Sequence, residues 1–116
     1  MKLLVINPNT TTSMTEAIAN AARAVAAPGT EIVATQPSFG PASIEGHFDE
    51  AWAAAGVAEQ AQLAETWNPA ATILACFGDP GLEAARKRCK ARCWALPKQP
   101  FTRPVSWPRA FQWSPP

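Results

Sequence analysis

Three short aliphatic runs alternate with stretches of helical pattern, and that alternation limits this chain to a parallel sheet wrapped by helices. Lys2 to Ile6 is the first run, closed by Asn7-Pro8-Asn9. A β-branched and aliphatic run ending in such a turn reads as a buried strand. Met14, Ile18, Ala21, Ala22 and Val25 then recur at helical spacing until Pro28-Gly29 stops them. Ser13 and Glu16 have the spacing of a capping box at the start of that helix. Thr30 to Thr35 forms the second strand candidate, and Gln36 to His47 a loop with two prolines and two glycines. An alanine-rich stretch from Asp49 to Trp67 has strong helix propensity and ends at Asn68-Pro69. Ala71 to Cys76 is the third strand candidate. Asp79 and Pro80 then stand as N-cap and first residue of a third helix, begun by Leu82 to Arg86.

The expected fold is α/β: a three-layer parallel sheet with helices on both faces, followed by an irregular tail. Sheets of this kind bind ligands beyond the carboxyl ends of their strands. Asn7 to Thr10 and Cys76 to Gly81 both fall at that edge, as does the loop after the second strand. Three strands make a thin sheet, so at least one more is expected. An unfinished sheet would leave an edge and an apolar face exposed, both liabilities for aggregation.

Composition divides the chain in two. All nine acidic residues lie at or before Glu83, and eight of the ten basic residues lie at or after Arg86. Six of the twelve prolines and three of the five tryptophans crowd into the last twenty-three residues. No segment approaches the roughly 18 consecutive apolar residues of a membrane span, and the apolar run at the N-terminus is too short for a signal peptide. A cytoplasmic protein with no membrane partner is expected. Three cysteines, Cys76, Cys89 and Cys93, argue against a disulfide framework in such a setting.

Cys76 is the sharpest chemical signal. It ends a buried strand and precedes the start of a helix, where amide groups and the helix dipole favour negative charge. Such a setting lowers a thiol's pKa and suits a general acid or base; a buried core cysteine is the competing account. Asn7, Asn9 and Thr10 offer amides and a hydroxyl at the same edge, or simply form a turn with helix capping. His47 has no partner near it in sequence and reads as a solvated loop histidine. No metal site is visible, because Cys89 and Cys93 lack the further ligands of a tetrahedral set. A Gly-rich phosphate loop and a Ser-His-Asp arrangement are absent too.

Three motifs carry a resemblance. Ile6-Asn7-Pro8-Asn9-Thr10-Thr11 with Ser13-Met14-Thr15, then Gly40-Pro41-Ala42-Ser43-Ile44-Glu45-Gly46, then Ala75-Cys76-Phe77-Gly78-Asp79-Pro80-Gly81 resemble the hydantoin racemase branch of the Asp/Glu racemases, over residues 1 to about 86. The resemblance implies cofactor-independent racemisation of a small molecule: a hydantoin, allantoin or an amino acid. In it two thiols face opposite sides of an acidic carbon; one removes a proton and the other returns one. By position Cys76 matches the first thiol. Asn9 matches a ligand-binding position in the opening loop, with Thr10 beside it, and Phe77, Gly78 and Asp79 match the loop beside the thiol. Intact relatives are expected to be homo-oligomeric.

The family's second half, with its second thiol, is not found after Arg86, and Cys89 and Cys93 follow Cys76 too soon to supply it. Residues 87–116 are instead rich in Arg, Pro, Trp and Cys. Taken at face value, basic residues with interleaved aromatics suggest a small protein that binds nucleic acid or an acidic partner. GC-rich DNA read out of frame encodes the same composition. Joining the third base of each codon from Lys87 to the first two of the next permits A-V-Q-S-P-V-L-G-I-A-E-A-A, in one-letter code, which resembles the racemase continuation. One lost base suffices. Residues 87–116 are therefore expected to be out of frame, non-native and disordered, with no nucleic-acid role and with the chain inactive by itself.

Overall fold

The computed structural model describes residues 1–96. Strand and helix alternate as the aliphatic and alanine-rich runs do: β1 (Lys2–Ile6), α1 (Thr12–Val25), β2 (Glu31–Thr35), α2 (His47–Ala64), β3 (Ala71–Leu74), α3 (Leu82–Arg88) and β4 (Arg92–Ala95). All neighbouring strands are parallel, in the order β2-β1-β3-β4. The first strand in sequence is therefore central, and every β–α loop opens at one edge.

Register sorts the side chains by face, because a strand alternates with period two. Leu4 pairs with Thr72 and Ile6 with Leu74, and these pair onward with Cys93 and Ala95. This face meets α2 and α3. Leu4, Ile6, Val57, Ala61, Ala64, Leu74, Leu82, Ala85 and Cys93 form one buried cluster there. On the opposite face lie Leu3, Val5 and Ile32, with α1 packed on β2 and β1. Ile73 and Trp94 share that second face and remain half-buried.

Two glycines set the spacing between layers. A methyl group on Gly56 of α2 would come within 2.6 Å of the Pro37 ring, so only glycine lets the loop after β2 lie on the helix. Gly81 has φ +74, and a methyl there would sit 2.7 Å from the Ala54 carbonyl oxygen. It brings the start of α3 against the backbone of α2.

Several boundaries differ from those expected. β3 stops at Leu74, which leaves Cys76 in a turn rather than at a strand end. α1 begins at Thr12 with Thr11 as N-cap, and the Ser13–Glu16 capping box does not form. The Thr11 hydroxyl donates instead to the Ala42 carbonyl at 2.7 Å, tying the cap to the long loop. α3 is capped by Gly81 rather than Asp79, and both residues take left-handed backbone, φ 74 and φ 53.

The expectation of a disordered chain from Lys87 onward is corrected for residues 87–96. α3 continues to Arg88, and β4 pairs with β3 as the fourth strand that a thin sheet requires. The alternation Arg92-Cys93-Trp94-Ala95 allows this, since it turns Cys93 into the core beside Thr72. Residues 97–116, with the rest of the basic, proline-rich tail, lie outside the described residues.

Candidate active site

Three loops converge at the carboxyl edge of the sheet, and a buried polar network holds two of them. Asn7 and Asn9 are almost fully buried just past β1. The Asn7 amide donates to Asn9 Oδ1 at 2.9 Å and to Thr15 Oγ1 at 3.0 Å. Asn9 Oδ1 also accepts from the Thr11 N–H at 3.0 Å. Thr15 in turn donates to Gln36 Oε1, whose amide donates to the Thr10 carbonyl at 3.0 Å. The Thr10 N–H reaches the Pro41 carbonyl at 3.0 Å. Buried polar atoms need partners of this kind, so this network is what makes Asn-Pro-Asn a rigid corner. Asn9 accordingly reaches this edge with its oxygen engaged and its amide 3.3 Å from Met14 Sδ, a weak acceptor.

The third loop carries the thiol. The Ala75 N–H still pairs with the Ile6 carbonyl at 2.9 Å, and the chain then leaves the sheet. Cys76 is half-buried in this turn, and Phe77 and Gly78 after it are exposed. The Leu82 N–H bonds back to the Asp79 carbonyl at 3.2 Å. Five residues therefore separate the thiol from α3, a helix of seven residues.

A different group does reach it. A methyl placed on Gly78 would lie 3.8 Å from Cys76 Sγ and 3.5 Å from Glu50 Oε1. Sulfur and carboxylate thus flank the same open space over Gly78. Glu50 stands in the first turn of α2, and its Oε2 lies 3.3 Å from His47 Nδ1. His47 is therefore not a loop residue but the first residue of α2, with Glu50 as its partner. Glu50 itself went unnoticed in the sequence, since it lies 26 positions from Cys76 and no motif links them.

The other two cysteines belong to the core. The Cys89 thiol sits 3.7 Å from Thr72 Oγ1, and Cys93 is 7% exposed on β4. Burial, and then the neighbouring Cys89, push the Cys93 thiol up to about 12. Among the described residues no group of three or more His, Cys, Asp or Glu is placed to hold a metal, and no helix is long and apolar enough to cross a membrane.

A parallel α/β sheet with a half-exposed thiol in the turn beyond a central strand defines an α/β protein of the class that binds ligands at its carboxyl edge. The chain belongs to the Asp/Glu/hydantoin racemase family, whose model matches residues 3–94. That match runs beyond Arg86 and takes in most of β4. The chain is 52% identical over 88 residues to a hydantoin racemase of Paenarthrobacter aurescens, covering 75% of this chain and 37% of that protein. It is 49% identical over 87 residues to one of Pseudomonas sp. strain NS671, covering 75% and 35%. An allantoin racemase from Klebsiella pneumoniae superposes with TM-score 0.80 at 53% identity, covering 82% of this chain and 39% of that one. For an allantoin racemase from Pseudomonas fluorescens the TM-score is 0.77 at 42% identity, with 82% and 40% covered. The chain spans little more than a third of the length of these relatives.

Proposed function

We propose that this chain is the first half of a cofactor-independent racemase for hydantoins, allantoin or amino acids, and that Cys76 is one of two proton-transferring thiols. As thiolate, Cys76 takes the proton from the acidic carbon, and the electron pair of the broken C–H bond delocalises into the adjacent carbonyl. Return of a proton from the opposite face, by a second thiol outside this chain, gives the mirror image. Thr10, Phe77, Gly78 and Asp79 line the substrate's place at the carboxyl edge, with Asn9 fixing the opening loop. The observation that carries this proposal is the half-exposed Cys76 in the turn after β3, in a chain half identical to hydantoin racemases. We further propose that codons from about Lys87 onward are read out of frame, so that the chain by itself does not turn over.

One thiol reaches one face. In D2O the chain is therefore expected to exchange the α-proton of one enantiomer of a 5-substituted hydantoin, and Cys76→Ser to stop it. Exchange that persists in Cys76→Ser, or that treats both enantiomers alike, would overturn the mechanism. A gene with one base restored at codon 87 is expected to encode a longer racemase, inactivated by the same substitution. A restored frame that lacks a second cysteine would refute the frame proposal.

A further inference from the structure

The mechanism makes no use of the carboxylate that shares the space over Gly78 with the Cys76 sulfur. We propose that Glu50 is a specificity-determining residue, a fixed negative charge at the thiol that admits neutral ligands and repels those bearing a carboxylate. This rests on Cys76 being the reactive thiol of the site.

Position is the first part of the case. Glu50 Oε1 and Cys76 Sγ both lie within van der Waals range of one point above Gly78. A ligand whose acidic carbon meets the sulfur from the Gly78 side occupies that space. Glu50 lies in the first turn of α2 with a half-exposed side chain. Its N–H pairs with the Gly46 carbonyl at 3.0 Å at the start of α2, and its second carboxylate oxygen meets His47 Nδ1.

Charge placement is the second. Every described lysine and arginine belongs to the opposite edge of the sheet. Lys2 and Arg92 begin strands, Arg23 closes α1 with its guanidinium on the Ile32 carbonyl, and Arg86, Lys87, Arg88 and Lys90 end or follow α3. Near Gly78 the described residues hold Glu50, with Glu45, Asp49 and Asp79 in the adjoining segments. A carboxylate arriving at the thiol would meet like charge and none of the forked guanidinium contacts that bind carboxylates.

Charge conservation is the third. Proton transfer from a neutral ring to a thiolate moves one negative charge from sulfur to the ring and adds none. Glu50 therefore burdens the two states similarly. An amino-acid carboxylate brings an additional negative charge in both, which Glu50 disfavours throughout. Hydantoin-like rings, with N–H groups that a carboxylate accepts, suit the same space.

Alkylation of Cys76 in the full chain tests this without turnover. Rates with iodoacetamide, which is neutral, and iodoacetate, an anion, are read at the Cys76 peptide by mass spectrometry. Their ratio cancels any change in thiolate fraction. The folded chain is expected to disfavour iodoacetate relative to the urea-unfolded chain, and Glu50→Gln to raise the iodoacetate share roughly threefold to tenfold. Asp49→Asn is expected to move it less. An unchanged ratio in folded Glu50→Gln overturns the proposal while leaving Cys76 free to be the racemase thiol. Should Glu50→Gln not fold, salt decides on the parent chain: the folded-state ratio must climb toward the unfolded value as ionic strength rises. A flat response overturns the proposal.

Discussion

The turn after β3 and the junction between α3 and β4 both hold cysteine, yet they give it opposite chemistry. Cys76 stands half-exposed in a turn with open space over Gly78 and a carboxylate across it. Cys93 is packed inside the sheet, beside Cys89 and under α3, with its thiol pushed up to about 12. One region presents sulfur to a ligand; the other uses it as a small apolar side chain. Residue type alone does not make a nucleophile or a base. What differs is solvent, and solvent access is decided by where the strand stops. β3 ends two residues before its cysteine, whereas β4 runs through its own.

The sharpest way to break that contrast is to label both thiols. At pH 8 iodoacetamide is expected to modify Cys76 faster than Cys93 by a factor on the order of 100, since only the thiolate reacts. Peptide mapping over time measures both rates in one sample. Equal rates in the folded chain would mean that the α3–β4 junction opens freely, and β4 would then not be a stable part of the sheet.

Scaffold and site also differ in how they tolerate a methyl group. Gly81→Ala puts a methyl 2.7 Å from the Ala54 carbonyl and forces alanine into a left-handed backbone. A loss of about 2–3 kcal/mol is expected, read from the urea midpoint. A loss below about 0.5 kcal/mol would show that α3 is not held against α2 as described.

The scaffold was more legible in the sequence than the site, for a physical reason. β1, β2 and β3 announce themselves because their aliphatic runs are local, and the helices because their spacing is. The Asn7–Asn9–Thr15–Gln36 network was invisible, since Gln36 joins it from another strand's loop and polar residues near a proline look like an ordinary turn. Glu50 was missed likewise, and His47 was read as a loop residue, because α2 starts two residues ahead of the alanine-rich stretch and Glu50 comes near Cys76 only in three dimensions. β4 was hidden by its surroundings. Four alternating residues carry little signal among Arg, Lys and Pro, and the composition pointed to a foreign tail.

Alkali gives a smaller handle on the same pair of regions. The Cys93 thiol is raised in the folded chain from 9.0 to about 12, so the folded state holds its proton where the unfolded state has lost it. Between these values the unfolded state binds fewer protons, and stability falls as pH rises. Cys93 contributes fully below about pH 9 and loses its contribution progressively toward about pH 12. The thermal midpoint should decline across that window in the parent chain and decline less in Cys93→Ala. Parallel declines would place the alkaline sensitivity elsewhere.

Gly78→Ala should change stability least and is the most discriminating of the set for that reason. Its methyl would meet Glu50 Oε1 at 3.5 Å, Cys76 Sγ at 3.8 Å and the Pro80 ring at 4.0 Å, all ordinary contacts. Nothing in the fold needs to move, so the urea midpoint should correspond to a change within about 0.5 kcal/mol. The methyl nevertheless fills the space that a ligand meeting the sulfur from the Gly78 side occupies, and iodoacetamide should reach Cys76 a few-fold more slowly. Gly81 and Gly78 stand three residues apart in one turn, yet one methyl would strike the scaffold and the other only the access to sulfur. Slower labelling at unchanged stability would mean that the space over Gly78 serves the thiol; unchanged labelling would mean that ligands approach the sulfur from another side.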